Sequence, residues 1–359
     1  MRTAIIGLPQ VGKTSLFTIL TGQSQARSSR MGVAAVQMGV AKVPDERLDR
    51  LAEIFDPPKV THATVEYVDM PALSKESLAD ASYVGALRVA DAFLHVLRLF
   101  EDQTVMHIEG ALDPKRDWQN IEIELLLNDL VVVEKRLERV EKDMGRAKNP
   151  DLPKERDLLL KCKDALEADT PLRELQLNDD EQKRLRGFQF LSAKPMLLVL
   201  NLGEDQADRL GLIEQEYTSE WLGSKPNVAL TAVCGGIEAE IAELPLEEAR
   251  EYMAGYGLKQ SGLERLIQAT YSLLGLMSFL TAGETEVRAW TIPKETKAVR
   301  AAGAIHTDLE KKFIRAEVIQ WRKLVERKGY AGARDHGELR LEGKEYVVQD
   351  GDVLVIRHG

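Results

Sequence analysis

The chain of 359 residues has only two cysteines, Cys162 and Cys234, in distant parts of the sequence. Two isolated cysteines argue against a disulfide framework and match no metal-binding spacing. The sequence also lacks any run of about 18 apolar residues, so it predicts no membrane-spanning helix. Strand and loop patterns begin directly after Met1, which leaves no room for a signal peptide. These absences favour a protein of the reducing cytoplasm.

An excess of positive charge is missing as well, because the net charge is −10. A surface of this sign argues against nucleic-acid binding by the whole molecule. The charge is uneven, however, since residues 277–359 carry 15 lysines and arginines against 13 acidic residues. A contact with a polyanion is therefore expected in the C-terminal part, where several aromatic residues could stack on bases or could simply form a small core.

The most informative motif lies between an apolar stretch, Thr3–Ile6, and a helix-like segment that begins at Ser15. It matches G-x-x-x-x-G-K-[ST] through Gly7, Leu8, Pro9, Gln10, Val11, Gly12, Lys13 and Thr14. A glycine loop in this context exposes backbone N–H groups to a phosphate, and the new helix adds the positive end of its dipole.

This pattern predicts a site for a nucleoside triphosphate, and the alternative is a tight strand-to-helix turn with a surface lysine. Lys13 would reach the β- and γ-phosphates, and the Thr14 hydroxyl would bind Mg²⁺. The predicted nucleotide-binding residues of the loop are Pro9, Gln10, Val11, Gly12, Lys13, Thr14 and Ser15.

Short apolar runs alternate with helical patterns in the first hundred residues and again after residue 190. They predict strands at Arg2–Ile6, Thr64–Asp69, Ala92–Leu99, Pro195–Leu200 and Asn227–Thr231. The segment Ser261–Leu274 reads as an amphipathic helix that closes this unit. Such alternation predicts a parallel sheet with helices on both faces, and a nucleotide belongs at the carboxyl ends of its strands.

Two other regions have a different texture. Residues 116–190 are charged and rich in leucine with helical spacing, broken near Pro150 and Pro153, which predicts two long helices in an antiparallel arm. This arm could serve as structural support or as a lever or docking arm. From residue 277 onward, short strand patterns predict a small mixed α+β or β-grasp-like module, with strands that are expected at Val287–Ile292, Phe313–Ile319, Glu345–Val348 and Val353–Ile356.

Several blocks in order along the whole chain resemble the Obg-like ATPase (YchF) family of translation-factor-class P-loop proteins. They are Gly7–Lys13, Val43–Asp49, His107–Gly110, Val133–Glu138, Ile237–Leu244, Phe279–Ile292 and Ile305–Val318. The last two blocks are similar to the C-terminal TGS domain of that family. The resemblance implies a P-loop nucleotide-binding domain of residues 1–115 and 191–276, an inserted coiled-coil arm at 116–190, and a TGS domain at 277–359.

The resemblance also implies an activity and partners. It implies slow, Mg²⁺-dependent hydrolysis of ATP, with GTP as a weaker or comparable substrate and K⁺ as an optional second cation. It implies association with the large ribosomal subunit. The TGS domain could contact RNA, or its aromatic residues could simply form its core.

The base-reading turn follows the strand at 195–200 and resembles the family's Asn-x-x-Glu, with Asn201, Leu202 and Glu204. GTPases have Asn-Lys-x-Asp there, and the Asp carboxylate accepts hydrogen bonds from guanine. The longer Glu204 removes that pair, and an unpaired buried group costs about 1–3 kcal/mol. Adenine is therefore favoured over guanine, with Asn201 contacting the base or bracing the phosphate loop and Leu202 packing on the ring. The alternative is a polar turn at a strand end.

Asp69 is expected to be the Walker B acid that holds Mg²⁺ through water. The following Pro71–Ala72 stands where the family has Ala-Gly, so alanine replaces the glycine whose N–H senses the γ-phosphate. In switch I, Val33 lies where the family has its Mg²⁺-binding threonine, and valine cannot bind a metal; Ser28 or Ser29 could substitute.

His107 matches the histidine with which the family is proposed to replace the activating glutamine of Ras-like proteins, and it could orient the attacking water. The alternative is a polar residue near a strand end. Two functions remain: a slow ATPase switch, or a nucleotide-binding adaptor whose altered switch motifs no longer support hydrolysis.

Overall fold

The computed structural model describes residues 1–23, 36–102, 104, 107–108, 110–145, 149–258 and 260–359. The switch I candidates Ser28, Ser29 and Val33 lie outside these ranges. The described chain divides into two compact units, one of residues 1–39 and 66–269 and one of residues 40–65 and 270–359. No helix in these ranges combines the length and apolar character that crossing a membrane requires.

The strands are β1 Arg2–Ile6, β2 Gln37–Lys42, β3 Val60–Thr61, β4 Thr64–Asp69, β5 Ala92–Arg98, β6 Met196–Asn201, β7 Val228–Val233, β8 Leu276–Ala282, β9 Val287–Pro293, β10 Phe313–Gln320, β11 Arg340–Glu342 and β12 Asp352–His358. The helices are α1 Lys13–Thr21, α2 Glu46–Phe55, α3 Lys75–Ala79, α4 Ala81–Val89, α5 Pro114–Met144, α6 Asp151–Glu167, α7 Asp179–Leu185, α8 Leu210–Tyr217, α9 Gly235–Glu243, α10 Leu246–Gly255, α11 Gly262–Leu273, α12 Ala298–Ile305, α13 Thr307–Lys311, α14 Trp321–Glu326 and α15 Tyr330–Asp335.

The first sheet has the strand order β2-β4-β1-β5-β6-β7. Strand β1 pairs in parallel with β4 and β5, and β5, β6 and β7 continue in parallel. Every residue of β5 and β6 is buried, as expected for strands covered by helices on both faces. The predicted parallel α/β sheet is confirmed, and its carboxyl edge contains the ends of β1, β4 and β6.

The segment predicted to be an arm contains two packed helices, α5 and α6. Helix α5 begins with Pro114 in its first turn, after Asp113, whose side chain accepts a hydrogen bond from Arg116 N, a combination that favours helix initiation. A separate apolar core joins the two helices through Val133, Leu137, Val140, Leu158, Leu159 and Cys162. The arm therefore has its own core and not only a surface contact between helices.

The second unit contains a mixed sheet of order β11-β10-β12-β8-β9-β3. The chain segment 40–65, which the sequence assigned to the nucleotide domain, contributes β3 and α2 to this unit. Leu48 and Leu51 of α2 are both 0% exposed, and Val60 of β3 pairs in parallel with Val287 of β9. The sequence predicted a mixed α+β module here. It did not predict that residues 40–65 belong to this module, because the contacts join parts of the chain that are about 200 residues apart.

One predicted strand of this unit is wrong. Residues 345–348 form no strand, and Val347 makes only an isolated bridge with Lys297. The strand that pairs with β10 at this edge is β11, with Glu317 opposite Leu341.

Candidate nucleotide-binding site

The phosphate loop connects the end of β1 with the start of α1, and two of its glycines are required by close contacts. Gly7 and Gly12 have φ values of 147° and 95°, which side chains rarely adopt. A Cβ on Gly7 would lie 2.6 Å from the Val96 carbonyl oxygen, and one on Gly12 would lie 2.4 Å from the amide nitrogen of Asn201. The loop can therefore lie against β5 and β6 only with glycine at both positions.

Lys13 is directed into this loop by its own hydrogen bonds. Its Nζ donates to the carbonyls of Gly7 at 3.0 Å and Leu8 at 2.6 Å, and the residue is 7% exposed. Burial lowers the pKa of Lys13 from 10.5 to about 8, against the opposing charge of Asp69. A lysine held this way lies ready to exchange carbonyl partners for phosphate oxygens.

Thr14 and Asp69 meet across the carboxyl edge of the sheet. Thr14 Oγ1 donates to Asp69 Oδ2 at 2.9 Å. The other oxygen, Oδ1, is buried, and no described residue donates a hydrogen bond to it. Burial raises the pKa of Asp69, although the Thr14 hydrogen bond and the Lys13 charge act in the opposite direction. Because Mg²⁺ prefers oxygen ligands of this kind and keeps several waters, these two residues fit a magnesium site.

Asn201 ties the base-side turn to the phosphate loop. Its amide nitrogen donates to the Val11 carbonyl at 3.0 Å, and its amide oxygen accepts from Gly235 N at 3.1 Å. Of the two roles expected for Asn201, these contacts favour bracing. Leu202 was expected against the base ring, but its side chain is 2% exposed and packs in the main apolar core.

Glu204 is exposed and lies beside the start of α9. A Cβ on Gly236 would lie 2.5 Å from Glu204 Oε1, so the carboxylate occupies the space next to that glycine. A negative charge near a helix N-terminus is favourable because of the helix dipole. Gly235 and Gly236 were missed by sequence reasoning; the signal was a Gly-Gly pair that begins four residues after the predicted strand Asn227–Thr231.

The segment after Asp69 is joined to the phosphate loop through the backbone. Leu73 N donates to the Gly7 carbonyl at 3.0 Å, and the Tyr83 hydroxyl donates to the Pro71 carbonyl at 3.0 Å. Pro71 has no N–H, whereas Ala72, at the position of the family's glycine, keeps one. The hydrogen bond from Leu73 N to the Gly7 carbonyl fixes this segment to the phosphate loop.

His107 is buried, with 9% exposure. Its Nε2 lies 2.9 Å from Oδ2 of Asp117 in the first turn of α5, and Asp117 also accepts from the Arg116 guanidinium at 2.9 Å. The ring therefore lies against the base of the arm. Of the predicted site residues, the structure brings together those of the phosphate loop, Asp69 and Asn201. His107 instead lies against Asp117 of α5.

The comparisons with known proteins agree along the whole chain. Residues 2–135 match a family model described as "50S ribosome-binding GTPase". Residues 276–359 match the C-terminal YchF GTPase model, described as "Protein of unknown function (DUF933)". "Ribosome-binding ATPase YchF" of Bacillus subtilis is 40% identical over 99% of this chain and 99% of that protein. The chain belongs to the YchF family.

Other YchF proteins support the same assignment. "Ribosome-binding ATPase YchF" of Escherichia coli O157:H7 is 39% identical over 98% of each chain. The solved YchF GTPase of Schizosaccharomyces pombe has a TM-score of 0.85 and 30% identity, covering 99% of this chain and 97% of that one. The YchF fold therefore extends over both units described above.

Proposed function

We propose that this protein is a cytoplasmic, ribosome-associated ATPase that binds ATP with Mg²⁺ and hydrolyses it slowly as a switch in translation. The observation that carries the proposal is the meeting of Lys13, Thr14 and Asp69 at the carboxyl edge of the parallel sheet. Relatives named "Ribosome-binding ATPase YchF" support the choice of nucleotide and partner.

The triphosphate tail would lie in the loop of residues 7–14, where backbone N–H groups and the start of α1 face it. Lys13 Nζ would leave the Gly7 and Leu8 carbonyls for the β- and γ-phosphates. Mg²⁺, when bound, supplies positive charge to the β- and γ-phosphate oxygens. Thr14 and Asp69 are the residues that would hold it, directly and through water.

Adenine is the proposed base. The contacts of Asn201 brace the phosphate loop and leave the Glu204 carboxylate beside Gly236. In this arrangement the residue that reads guanine in other GTPases is replaced by a longer acid that lies against α9. A site without the paired acceptor has little reason to prefer guanine.

Hydrolysis is proposed to use His107 to orient the attacking water. The ring would have to leave Asp117 to reach the γ-phosphate, so slow turnover by the isolated protein is expected. Binding of a large ribosomal subunit would then raise the rate by favouring the released ring.

A second candidate is a nucleotide-binding adaptor without hydrolysis. Two observations favour it: His107 lies against Asp117, and Pro71–Ala72 stands where the family has Ala-Gly. The two candidates differ in turnover and not in ATP binding.

Single-turnover assays with Mg²⁺ and ATP, with and without large ribosomal subunits and K⁺, separate the candidates. The ATPase proposal requires cleavage that subunits accelerate and that His107→Ala removes while ATP affinity remains. Cleavage that is absent under every condition supports the adaptor. Lys13→Ala should abolish ATP binding in calorimetry, whereas Lys135→Ala, at an exposed position on the arm, should not; normal affinity in Lys13→Ala would refute the site.

Competition between ATP and GTP tests the base. We expect Glu204→Asp to shift preference toward GTP by restoring the shorter carboxylate that accepts hydrogen bonds from guanine. An unchanged affinity ratio would show that this turn does not select the base.

A further inference from the structure

A cavity of about 590 Å³ lies in the first unit, away from the nucleotide site. Its lining includes Asp91, Pro195 and Asn227, which directly precede β5, β6 and β7. These residues stand at the amino ends of the parallel strands, whereas Asp69 and Asn201 end β4 and β6. The cavity and the nucleotide site are therefore at opposite edges of one sheet.

One wall of the cavity is apolar. It comes from the segment between α6 and β6 and consists of Leu172, Leu175, Leu177, Leu185 and Phe190. Sites for small molecules typically have volumes of about 300–1,000 Å³, a largely apolar lining and a few charged groups that fix orientation. The volume and this wall suit the ring or hydrocarbon chain of such a molecule.

The charged groups of the lining are mainly cationic. Arg88, Arg173, Arg186 and Lys194 contribute to it. Arg173 is paired with Glu122, whereas the other three have no carboxylate within hydrogen-bond or ion-pair distance in the described ranges. Arg88 donates through Nη2 to Asn128 Oδ1 at 3.3 Å, and its Nε is buried with no acceptor from any described residue. Lys194 donates to the backbone carbonyl of Arg88 at 2.8 Å. These groups have hydrogen-bond donors and positive charge to spare.

The opposing negative charge is largely engaged. Asp91 is the acidic residue of the lining, and its Oδ2 already accepts from Arg2 N at 2.7 Å. The pKa of Lys194 is lowered chiefly by burial, and the charge of Arg88 lowers it further while Asp91 and Asp129 oppose the change. Crowded cations of this kind are stabilised by an anion.

We propose that this cavity binds a small organic anion, in which a carboxylate or phosphate group faces Arg88 and Arg186 and an apolar body packs on the leucine wall. The charge-assisted hydrogen bonds of a guanidinium suit either anion, because both present paired oxygens to the planar fork. The site does not depend on the nucleotide proposal, since it shares no residue with the phosphate loop.

Calorimetric titration of the full-length protein with hexyl phosphate and with hexanoate tests the proposal, using 1-hexanol and inorganic phosphate as probes of each half alone. Arg186→Gln is the main variant because Arg186 is exposed and its replacement leaves the core intact. Lys183→Gln is the matched control: it removes one charge from the same segment, but Lys183 is outside the lining. Each titration is repeated in Lys13→Ala protein.

We expect saturable binding of at least one hexyl anion, weaker binding of 1-hexanol and of inorganic phosphate, and a loss of about tenfold in Arg186→Gln, the size of one charged hydrogen bond. Lys183→Gln and Lys13→Ala should bind as the wild type does. Absence of saturable binding of both anions would overturn the proposal. So would equal affinity in Arg186→Gln and Lys183→Gln, or binding that disappears in Lys13→Ala, which would put the anion in the phosphate loop.

Discussion

His107 Nε2 lies 2.9 Å from Asp117 Oδ2, and both side chains are almost completely buried. The pair joins the segment that follows β5 to the first turn of the arm helix α5. If His107 acts in hydrolysis, its freedom to act depends on a carboxylate that belongs to the arm. A displacement of the first turn of α5 would then change the rate of ATP hydrolysis.

The first prediction concerns this pair. Asp117→Asn keeps the shape of the side chain but removes the charge, so it should release His107 more often and raise single-turnover ATP hydrolysis severalfold. Asp113→Asn is the control, because it removes a charge one turn earlier and asparagine still caps α5. Equal rates in Asp117→Asn and the wild type would show that the pair does not restrain hydrolysis.

The second prediction concerns pH. The pKa of Lys13 is about 8 in the free protein, and a bound triphosphate raises it because the anion stabilises the charged form. Below pH 8 the lysine is charged in both states and ATP affinity is highest. Above pH 8 the complex must recover a proton that the free protein has lost, so affinity falls, by at most about tenfold per pH unit.

Calorimetry at pH 7, 8 and 9 checks this dependence. Lys13→Arg should bind more weakly but without the decline, because arginine stays charged throughout. A flat profile in the wild type would mean that Lys13 does not meet the phosphates.

The third prediction concerns the carboxylate of Glu204. Gly236→Ala places a methyl group where Glu204 Oε1 now lies, at 2.5 Å, so the carboxylate must move and the ratio of ATP to GTP affinity should change. Gly211→Ala is the control, because a Cβ there meets no atom within 4 Å. Competition binding of the two nucleotides measures both variants, and a ratio that stays constant in Gly236→Ala would contradict a role for Glu204 at the base.

The fourth prediction concerns the ribosome contact. Two sets of exposed cations form no ion pair with a carboxylate in the described part of the chain. One set is on the C-terminal unit, Lys311, Lys312 and Arg315, and the other is on one face of α5, Lys135, Arg139 and Lys142. Replacing the first set with glutamate should weaken co-sedimentation with large subunits and reduce its salt dependence, because phosphate contacts release counterions. The second set is the control of equal charge; a loss confined to it would assign the contact to the arm.

The fifth prediction concerns the segment 40–65. Leu48→Ala should destabilise the C-terminal unit by about 2–5 kcal/mol because it leaves a cavity in a closed core. Arg50→Ala, with a side chain that is 62% exposed, should change little. Hydrogen exchange of the β8 and β9 amides reports the difference. Deleting residues 277–359 would uncover Leu48 and Leu51, so charge-reversed full-length chains are the better test of ribosome binding.

The limits of sequence reasoning follow from how far each contact reaches. Strands β1, β5 and β6 were predicted within about a residue because burial on both faces leaves a nearly continuous apolar run. Strand β2 was missed because it lies at the edge of the sheet and its residues alternate between buried and exposed. Met38, for example, is 54% exposed. The wrong strand at 345–348 has an apolar pattern but lacks a partner strand in register.

In the functional site, too, local features could be predicted from the sequence and long-range contacts could not. The loop from Gly7 to Thr14 is local and could be read directly. The bridge from Asn201 to Val11 and Gly235 joins three distant parts of the chain, and the pairing of His107 with Asp117 depends on how the chain returns to α5. Neither has a spacing that a single sequence reveals.

The divided C-terminal unit also has a consequence for biosynthesis. Residues 40–65 emerge from the ribosome roughly 200 residues before residues 270–359, and domains generally fold as their chains appear. Helix α2 must therefore wait, with its leucines uncovered, until translation is almost complete. In a nascent chain stalled before residue 270, the uncovered leucines of that helix would form a binding site for chaperones.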